Sequence, residues 1–345
     1  MKIKLNKYKN LGKIFKAAIA IVLFLWVFRA AGLTSVNGFK AFIKPLMNAN
    51  LIYLTIALLF IPIMDFVSTL KWFFLSKAKH VNISYYRLFY FYVIGRFFNL
   101  ILPSSIGGDL IRIHLQGRQS KNMPDAAAIV LTERVTGLLT LMFLAAISSI
   151  FAARFIDNNF LILLLLVSAI VLFVVICFVL NDNLFDLIFK LADRFHSAGI
   201  NRIFDRIKKM RNSVKELSKD KRAIFFAFVN SIFFYAVAVL NAWFSILVFD
   251  ESITLITMVF SIPIIMFLMN IPLSIGNLGV MEFSYTAVLT VFGVPAGVAL
   301  SLSLFMRIKT FIAAGFGGIF YILHRDVAGH KQGLESELAN LDNKL

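Results

Sequence analysis

The chain has 345 residues, of which 60% are hydrophobic and 15% charged, and its mean hydropathy is +0.84. Soluble domains carry about 45–50% apolar and roughly 25% charged residues, so the composition excludes a soluble globular enzyme, a disordered chain and a disulfide-rich secreted module. The net charge of +17 is spread between apolar runs, which indicates a basic membrane face rather than nucleic-acid binding.

Six apolar runs are long enough to cross a hydrocarbon core, which requires about 20 residues. The first, Ile14–Leu33, follows a lysine-rich segment and is interpreted as a retained signal-anchor helix with a cytoplasmic N-terminus. The other five are predicted to be full transmembrane helices: Leu51–Leu75, Ala126–Ala153, Phe160–Leu180, Ala223–Phe249 and Gly297–Leu323.

Two further apolar regions, Tyr85–Arg112 and Thr254–Phe292, are interrupted by proline and glycine. Such breaks free backbone groups, which are tolerated at membrane depth only where protein or water covers them. We therefore interpret both regions as re-entrant helical hairpins. The residues expected to break them are Pro103, Gly107 and Gly108 in the first, and Pro263, Pro272, Gly276 and Gly279 in the second.

The charges between the runs predict the orientation. Lys and Arg flank the first hairpin, fill segment 181–222 and follow the last run, whereas Asp250 and Glu251 precede the second hairpin. The positive-inside rule then places both termini in the cytoplasm and makes the two hairpins enter from opposite sides. Segment 181–222 is predicted to form an amphipathic helix on the cytoplasmic leaflet, with a solvated linker helix as the alternative.

A short motif occurs once in each hairpin. Residues 102–108 read LPSSIGG and residues 271–277 read IPLSIGN, so the two copies share P-x-S-I-G. Each hairpin follows one span and precedes another that carries an arginine, Arg134 or Arg307. This pattern predicts an inverted repeat of residues 51–153 and 223–323 within one membrane domain, 1–345. The expected fold is an all-α polytopic membrane protein with six full spans and two oppositely oriented re-entrant hairpins.

The charged residues inside these apolar segments are candidates for a lipid-headgroup site, because such residues are costly there and usually functional. Interrupted helices also expose N–H groups and positive dipole ends that suit an anion, and glycine allows close approach to the backbone. The candidate set is Arg96, Asp109, Arg112, Glu133, Arg134, Glu282, Arg307, Ser104, Ser105, Gly107, Gly108, Ser274, Gly276 and Asn277.

Within this set, Arg112 is predicted to bind phosphate, and Asp109, three residues earlier, shares its helix face. Arg307 is preferred over Lys309 as a second contact, since snorkelling accounts for one of the two. Glu282 is expected to face Arg307 as an ion-pair partner or gate. For each charge the alternative is a structural pair that fixes the hairpin.

The motifs resemble those of a known family. The run Asn99–Arg112 is similar to the first signature of the lysylphosphatidylglycerol synthase transmembrane-region family, also called flippase-like membrane proteins. Residues 133–138 resemble its next element, and Pro272–Glu282 resembles its second signature, usually closer to P-x-S-I-G-G-x-G-x-R-E. Here Asn277 and Met281 replace the usual glycine and arginine. The resemblance implies lipid translocation, and no lysyl transfer, because the aminoacyl-transferase domain of bifunctional members has no counterpart here.

The predicted function is therefore a lipid translocase of the cytoplasmic membrane that moves an anionic phospholipid or a polyprenyl-linked lipid, without cofactor, metal or nucleic acid. No nucleotide-binding motif is present, so a lipid or ion gradient would drive transport, or the protein would act as a scramblase. One alternative is a membrane-embedded enzyme on a lipid phosphate, with Asp109 or Glu133 as base. The other is a non-catalytic partner of a lipid- or glycan-synthesis enzyme. The sequence is also compatible with a homodimer.

Overall fold

The computed structural model describes residues 50–101, 107–153, 214–249, 253–271, 274 and 277–342, together with positions 167, 170, 174 and 212. Within these ranges every regular element is a helix. The predicted spans Ile14–Leu33 and Phe160–Leu180, apart from three of those positions, and most of segment 181–222 lie outside the described residues.

The described helices fall into two groups of four with the same order of lengths. The first group is α1 (Leu51–Ala78), α2 (Tyr85–Ile101), α3 (Gly107–Ser120) and α4 (Met123–Ala153). The second group is α5 (Lys221–Leu247), α6 (Leu255–Asn270), α7 (Val280–Val291) and α8 (Ala296–Asp342). In each group two shorter helices lie between two long ones.

The long helices are the membrane-spanning candidates. Four segments are long and apolar enough to cross a bilayer: Leu51–Ala78, Met123–Phe151, Lys221–Leu247 and Ala296–Leu323. They coincide with four of the spans predicted from hydropathy. Their outer faces carry exposed large apolar side chains, for example Phe225, which is 64% exposed. A helical membrane protein has such faces because they contact lipid rather than water.

Local capping explains where several helices begin. The side chains of Asn50, Asp220 and Thr254 accept hydrogen bonds from backbone N–H groups in the first turns of α1, α5 and α6. Pro263 was expected to break the second hairpin, but it lies inside α6 and is buried. Membrane helices tolerate proline in their interior, as α1 also does at Pro62.

The long helices α1 and α5 run antiparallel along their whole length. The N–H of Asn50 donates to the carbonyl of Val248, which joins the start of α1 to the end of α5 over 2.9 Å. At the other end the Phe74 and Phe226 rings stack with their centroids 5.5 Å apart. Because α1 opens the first group and α5 opens the second, this equivalent pair of helices points in opposite directions.

The packing of the remaining helices is reciprocal. Helix α2 packs against α8, and α6 packs against α4, so each group places its second helix on the last helix of the other. Within the groups, the contacts α1–α2, α2–α3 and α3–α4 are matched by α5–α6, α6–α7 and α7–α8. Exchange of the two groups therefore leaves this set of contacts unchanged.

A buried apolar cluster also includes the chain just before α5. Leu217 packs with Trp72 and Leu88, and the neighbouring Glu216 forms a 2.6 Å ion pair with Lys79. Leu217 belongs to segment 181–222, which was predicted to lie on the cytoplasmic leaflet, but it is buried by protein. The described end of segment 181–222 is thus attached to the end of α1.

Candidate functional site

The first buried charged cluster joins α3 to α4. Arg112 on α3 forms an ion pair with the carboxylate of Glu133 on α4, and its Nη1 lies 3.4 Å from Oδ1 of Asp109. Arg134 pairs with the other oxygen of Asp109. Asp109, Arg112 and Glu133 are all buried. Two cations and two carboxylates therefore balance each other, as buried charges require.

Aromatic rings and an amide network hold Arg112 in place. Its guanidinium carbon lies 4.3 Å from the centroid of the Trp72 ring and 4.7 Å from that of Tyr92, both cation–π distances. The indole of Trp72 donates to Gln116 over 2.8 Å, and Gln116 donates to Ser76 over 2.9 Å. Arg112, which lies on α3, thus contacts α1, α2 and α4, and its side chain is surrounded by protein.

A glycine contact sets the spacing between α2 and α3. The N–H of Gly108 donates to the side chain of Asn99 over 2.7 Å. A Cβ added at Gly108 would overlap the carbonyl oxygen of Gly95 and lie 2.6 Å from the Asn99 amide. The close approach that a glycine was expected to permit therefore occurs here between two helices.

The second buried cluster joins α7 to α8. Arg307 on α8 binds Glu282 on α7 through two nitrogens, with Nη2 2.9 Å from Oε2, and Nη2 also donates to the carbonyl of Asn277 over 2.8 Å. Glu282 accepts from the N–H of Gly279 over 2.9 Å, at the start of α7. Asn277 has φ 55° and Gly279 φ 79°, which are left-handed values that asparagine and glycine adopt most readily.

Both clusters tie the helix after the break to the next long helix, and the first cluster does so with two ion pairs of opposite sign. In the first group the helix after the break carries the arginine, Arg112, and the next long helix carries the glutamate, Glu133. In the second group the helix after the break carries the glutamate, Glu282, and the long helix carries the arginine, Arg307. The Asp109–Arg134 pair has the same sign as the Glu282–Arg307 pair. Asp109 and Glu282 are each the third residue of their helix, and Arg134 and Arg307 are each the twelfth of theirs, so the match of these two arginines made from the sequence agrees with the structure.

Each cluster borders a small cavity. The cavity beside the first, here called the Glu133 cavity, has about 160 Å³ and lies between α1, α2, α4, α5 and α6. A second cavity, the Lys309 cavity, has about 140 Å³ and is lined by α1, α2, α5, α6, α7 and α8. When the two groups of helices are exchanged, every helix around the Glu133 cavity is replaced by a helix that lines the Lys309 cavity.

Charged and polar groups face both cavities. The Glu133 cavity is lined by Lys71, Glu133, Arg134, Asn230, Ser231 and Asn270, among others. The Lys309 cavity is lined by Arg96, Asn241, Lys309 and Thr310, with five methionines, Met64, Met266, Met269, Met281 and Met306. Met64 and Lys71 both lie on α1 seven residues apart, so the cavities are offset by roughly 10 Å along that helix.

Two buried lysines, Lys71 and Lys309, were not in the candidate set drawn from the sequence. Lys71 Nζ donates to the backbone carbonyl of Glu133 over 2.9 Å and to Ser231 over 3.1 Å. Lys309 Nζ donates to the side-chain oxygen of Asn241 and, over 3.1 Å, to Ser245. The signal that could have found the Lys309 position is the i, i+4 spacing of an asparagine and a serine within an apolar helix.

The other predicted site residues are distributed as follows. Arg96 Nη1 lies 2.6 Å from Oδ1 of Asp65 on α1. Ser274 is buried, and its hydroxyl has no hydrogen-bond partner among the described residues. Ser104, Ser105 and Gly276 lie outside the described residues. In the part of the chain that the structure describes, no group of three or more His, Cys, Asp or Glu could hold a metal ion.

Comparison with known proteins identifies the family. The family model for the lysylphosphatidylglycerol synthase TM region matches residues 13–318. A UPF0104 membrane protein of Methanothermobacter thermautotrophicus is 22% identical over 299 residues, covering 82% of this chain and 87% of that protein. A UPF0104 membrane protein of Pyrococcus horikoshii is 23% identical over 319 residues, covering 84% and 92%. No solved structure matches the chain significantly. The chain belongs to the lysylphosphatidylglycerol synthase transmembrane-region family.

Proposed function

We propose that this protein is a lipid translocase that moves an anionic lipid between the two leaflets of the cell membrane. The observation that carries the proposal is the antiparallel pairing of α1 with α5 within a reciprocal helix packing. This arrangement supports an inverted repeat of residues 51–153 and 223–323, in which hairpins α2–α3 and α6–α7 enter the membrane from opposite sides. Inverted repeats around a central site are typical of transporters that alternate access.

The proposed membrane arrangement has six spans with both termini in the cytoplasm. The four long described helices supply four of them, and Ile14–Leu33 and Phe160–Leu180 are proposed to supply the others. The charges between the runs support this orientation, because Lys and Arg concentrate in the segments assigned to the cytoplasm. The substrate is an anionic phospholipid or a polyprenyl-linked lipid, whose charge complements the cations that line the cavities.

In this proposal the two buried ion pairs act as gates. Arg112–Glu133 ties the first hairpin to α4, and Glu282–Arg307 ties the second hairpin to α8. Each pair lies within one repeat, so it loosens when its hairpin shifts against the long helix of that repeat as the repeats rock about the α1–α5 pair, while the other pair stays closed. The headgroup then passes between the Glu133 cavity and the Lys309 cavity, where Arg134 and Arg96 respectively border the space.

The engagement of the carboxylates favours a translocase over a lipid-phosphate enzyme. An enzyme would need a free general base, and the sequence offered Asp109 or Glu133 for that role. Both carboxylates are buried and paired with arginine. They therefore serve to hold helices together, which suits a conformational gate better than proton abstraction.

The test is a fluorescent-lipid leaflet assay in proteoliposomes, with a panel of anionic and zwitterionic headgroups and chromatography of the recovered lipid. We expect transfer of intact anionic lipid by the wild type and its loss in Arg112→Ala. The matched control is Arg118→Ala, because Arg118 is exposed on the same helix. This variant should transport lipid normally. Absence of transfer with every headgroup, or chemically altered lipid, would overturn the proposal.

A further inference from the structure

Lys309 is a buried cation held by neutral groups. Among the described residues its Nζ donates to Asn241 and Ser245, and the ring of Phe305 lies 5.5 Å away. An ammonium has three donors, and these two acceptors use two of them. A buried charge without an opposite charge is expensive, so this position is suited to a ligand that brings a negative charge.

A second cation faces the same cavity. Arg96 lines it together with Lys309 and is partly exposed, while its partner Asp65 is buried. The described residues at this cavity therefore include two cations, Lys309 and Arg96, and one carboxylate, Asp65. This leaves an excess of one positive charge. The methionines that complete the wall are flexible and adapt to ligands of different shape.

A large apolar groove adjoins this cavity. It has about 550 Å³, lies between α1, α2 and α8, and is lined by residues such as Leu58, Pro62, Phe89, Ile312 and Phe316. Asp65 is the charged residue in its lining, and Ile61 lines both the groove and the Lys309 cavity. The Asp65–Arg96 ion pair thus marks the place where the polar cavity meets the apolar groove.

We propose that the Lys309 cavity and this groove together form the binding site for one anionic lipid, a proposal that rests on the translocase function. The lipid phosphate binds Lys309 and Arg96, and one hydrocarbon chain lies in the groove. The phosphate supplies the negative charge that Lys309 lacks and competes with Asp65 for Arg96. The ligand is a lipid rather than free phosphate because only a lipid fills the apolar groove as well.

The site is tested by photo-crosslinking in nanodiscs. The probes are phosphatidylglycerol and diacylglycerol that carry the same diazirine-bearing chain, and the labelled peptides are identified by mass spectrometry. Lys309→Met removes the charge and keeps an apolar chain of the kind that already lines the cavity, and Lys309→Arg keeps the charge. Thr55→Trp narrows the groove, while Ile52→Trp, on an exposed part of the same helix, is its control.

We expect phosphatidylglycerol to label peptides from α1 and α8 in the groove, and Lys309→Met to reduce this labelling to the level of diacylglycerol. Lys309→Arg and Ile52→Trp should retain it, and Thr55→Trp should lose it. An excess of inorganic phosphate should not displace the lipid. Equal labelling by both probes, labelling unaffected by Lys309→Met, or displacement by inorganic phosphate would each overturn the proposed site.

The same variants separate this site from the translocase function. If the wild type moves lipid between leaflets but the label falls elsewhere, the site is wrong and the function stands. If phosphatidylglycerol labels the groove in a charge-dependent way but no lipid crosses, the site stands and the translocase function fails. Cross-linking and transport are therefore measured on the same purified preparations.

Discussion

Arg307 and Glu282 form a two-point ion pair between α8 and α7, and the Arg134–Asp109 pair occupies the equivalent place in the other group of helices with the same sign. The first group adds Arg112–Glu133, an ion pair of the reverse sign between the same two helices. What the two clusters share is the attachment of the helix after each break to the next long helix. Because ion pairs of either sign make this attachment, we expect it to depend on the presence of a pair rather than on which helix carries which charge.

Charge-swapped variants test whether the attachment of α7 to α8 depends on the presence of an ion pair. Glu282→Arg or Arg307→Glu alone places two like charges together in a buried site, where an unpaired charge costs about 3–5 kcal/mol. The double variant restores opposite charges and should recover a large part of the thermal stability and of lipid transport. Thermal unfolding in detergent and the leaflet assay measure both effects.

The two single variants and the double variant form a double-mutant cycle, whose result can also contradict this prediction. If the double variant is as unstable as the sum of the two single variants, the pair has no coupling and each residue acts alone. Arg118→Ala, which removes an exposed arginine on α3, provides the baseline for the loss of a surface charge.

Gly108→Ala is predicted to separate α2 from α3. The added methyl group would overlap the Gly95 carbonyl oxygen and crowd Asn99, and overpacking of this kind typically costs about 1–3 kcal/mol. We expect a lower melting temperature and weaker transport. Gly315→Ala in α8 is the matched control, because no atom lies within 4 Å of its added Cβ. Equal effects of the two substitutions would show that the close approach at Gly108 does not limit stability.

Much of the fold could be predicted from the sequence. Hydropathy alone located the four long described helices, because each apolar run is bounded by charged or polar residues. The second P-x-S-I-G segment correctly marked where α6 ends, at Asn270. Pro263 was misleading because membrane helices tolerate proline in their interior.

The partners of the charges could be predicted only in part. Glu282 was expected to face Arg307 and does so, but the partners of Glu133 and Arg134 were not predicted. Glu133 and Arg134 are adjacent in sequence, and successive residues of a helix point in directions about 100° apart. Both contact α3, where Glu133 meets Arg112 and Arg134 meets Asp109, and which acid meets which arginine depends on packing. Similarly, sequence position favoured Arg307 over Lys309, but Glu282 occupies Arg307, which leaves Lys309 as the cation in the cavity with neutral partners.

Lys71→Met is predicted to loosen the contact of α1 with α4 and α5. The substitution removes hydrogen bonds to the Glu133 carbonyl and to Ser231, and the loss of buried hydrogen bonds costs about 1–3 kcal/mol each where a partner is left unsatisfied. Lys77→Met, at an exposed position on the same helix, is the control. The free energy of unfolding should fall for Lys71→Met and stay nearly constant for Lys77→Met, and the reverse order would refute the assignment.

The reciprocal packing predicts which cross-links stop transport. If the repeats rock about the α1–α5 pair, a link between cysteines at Phe74 and Phe226 joins the parts that stay together, and transport should persist. A link between cysteines at Phe151 on α4 and Phe260 on α6, whose rings stack with centroids 5.1 Å apart, joins parts that move, and transport should stop. The equivalent link between Phe98 on α2 and Tyr321 on α8 should stop it as well.

These cross-links are made with short thiol-reactive reagents in a Cys177→Ser background, since Cys177 is the one native cysteine. Reductive cleavage of each link should restore the rate of lipid transfer, which separates a locked conformation from a damaged protein. Blockage by the α1–α5 link with free transport through the other two would place the moving boundary elsewhere. Because exchange of the two groups converts the α4–α6 contact into the α8–α2 contact, a symmetric mechanism requires both of those links to act alike.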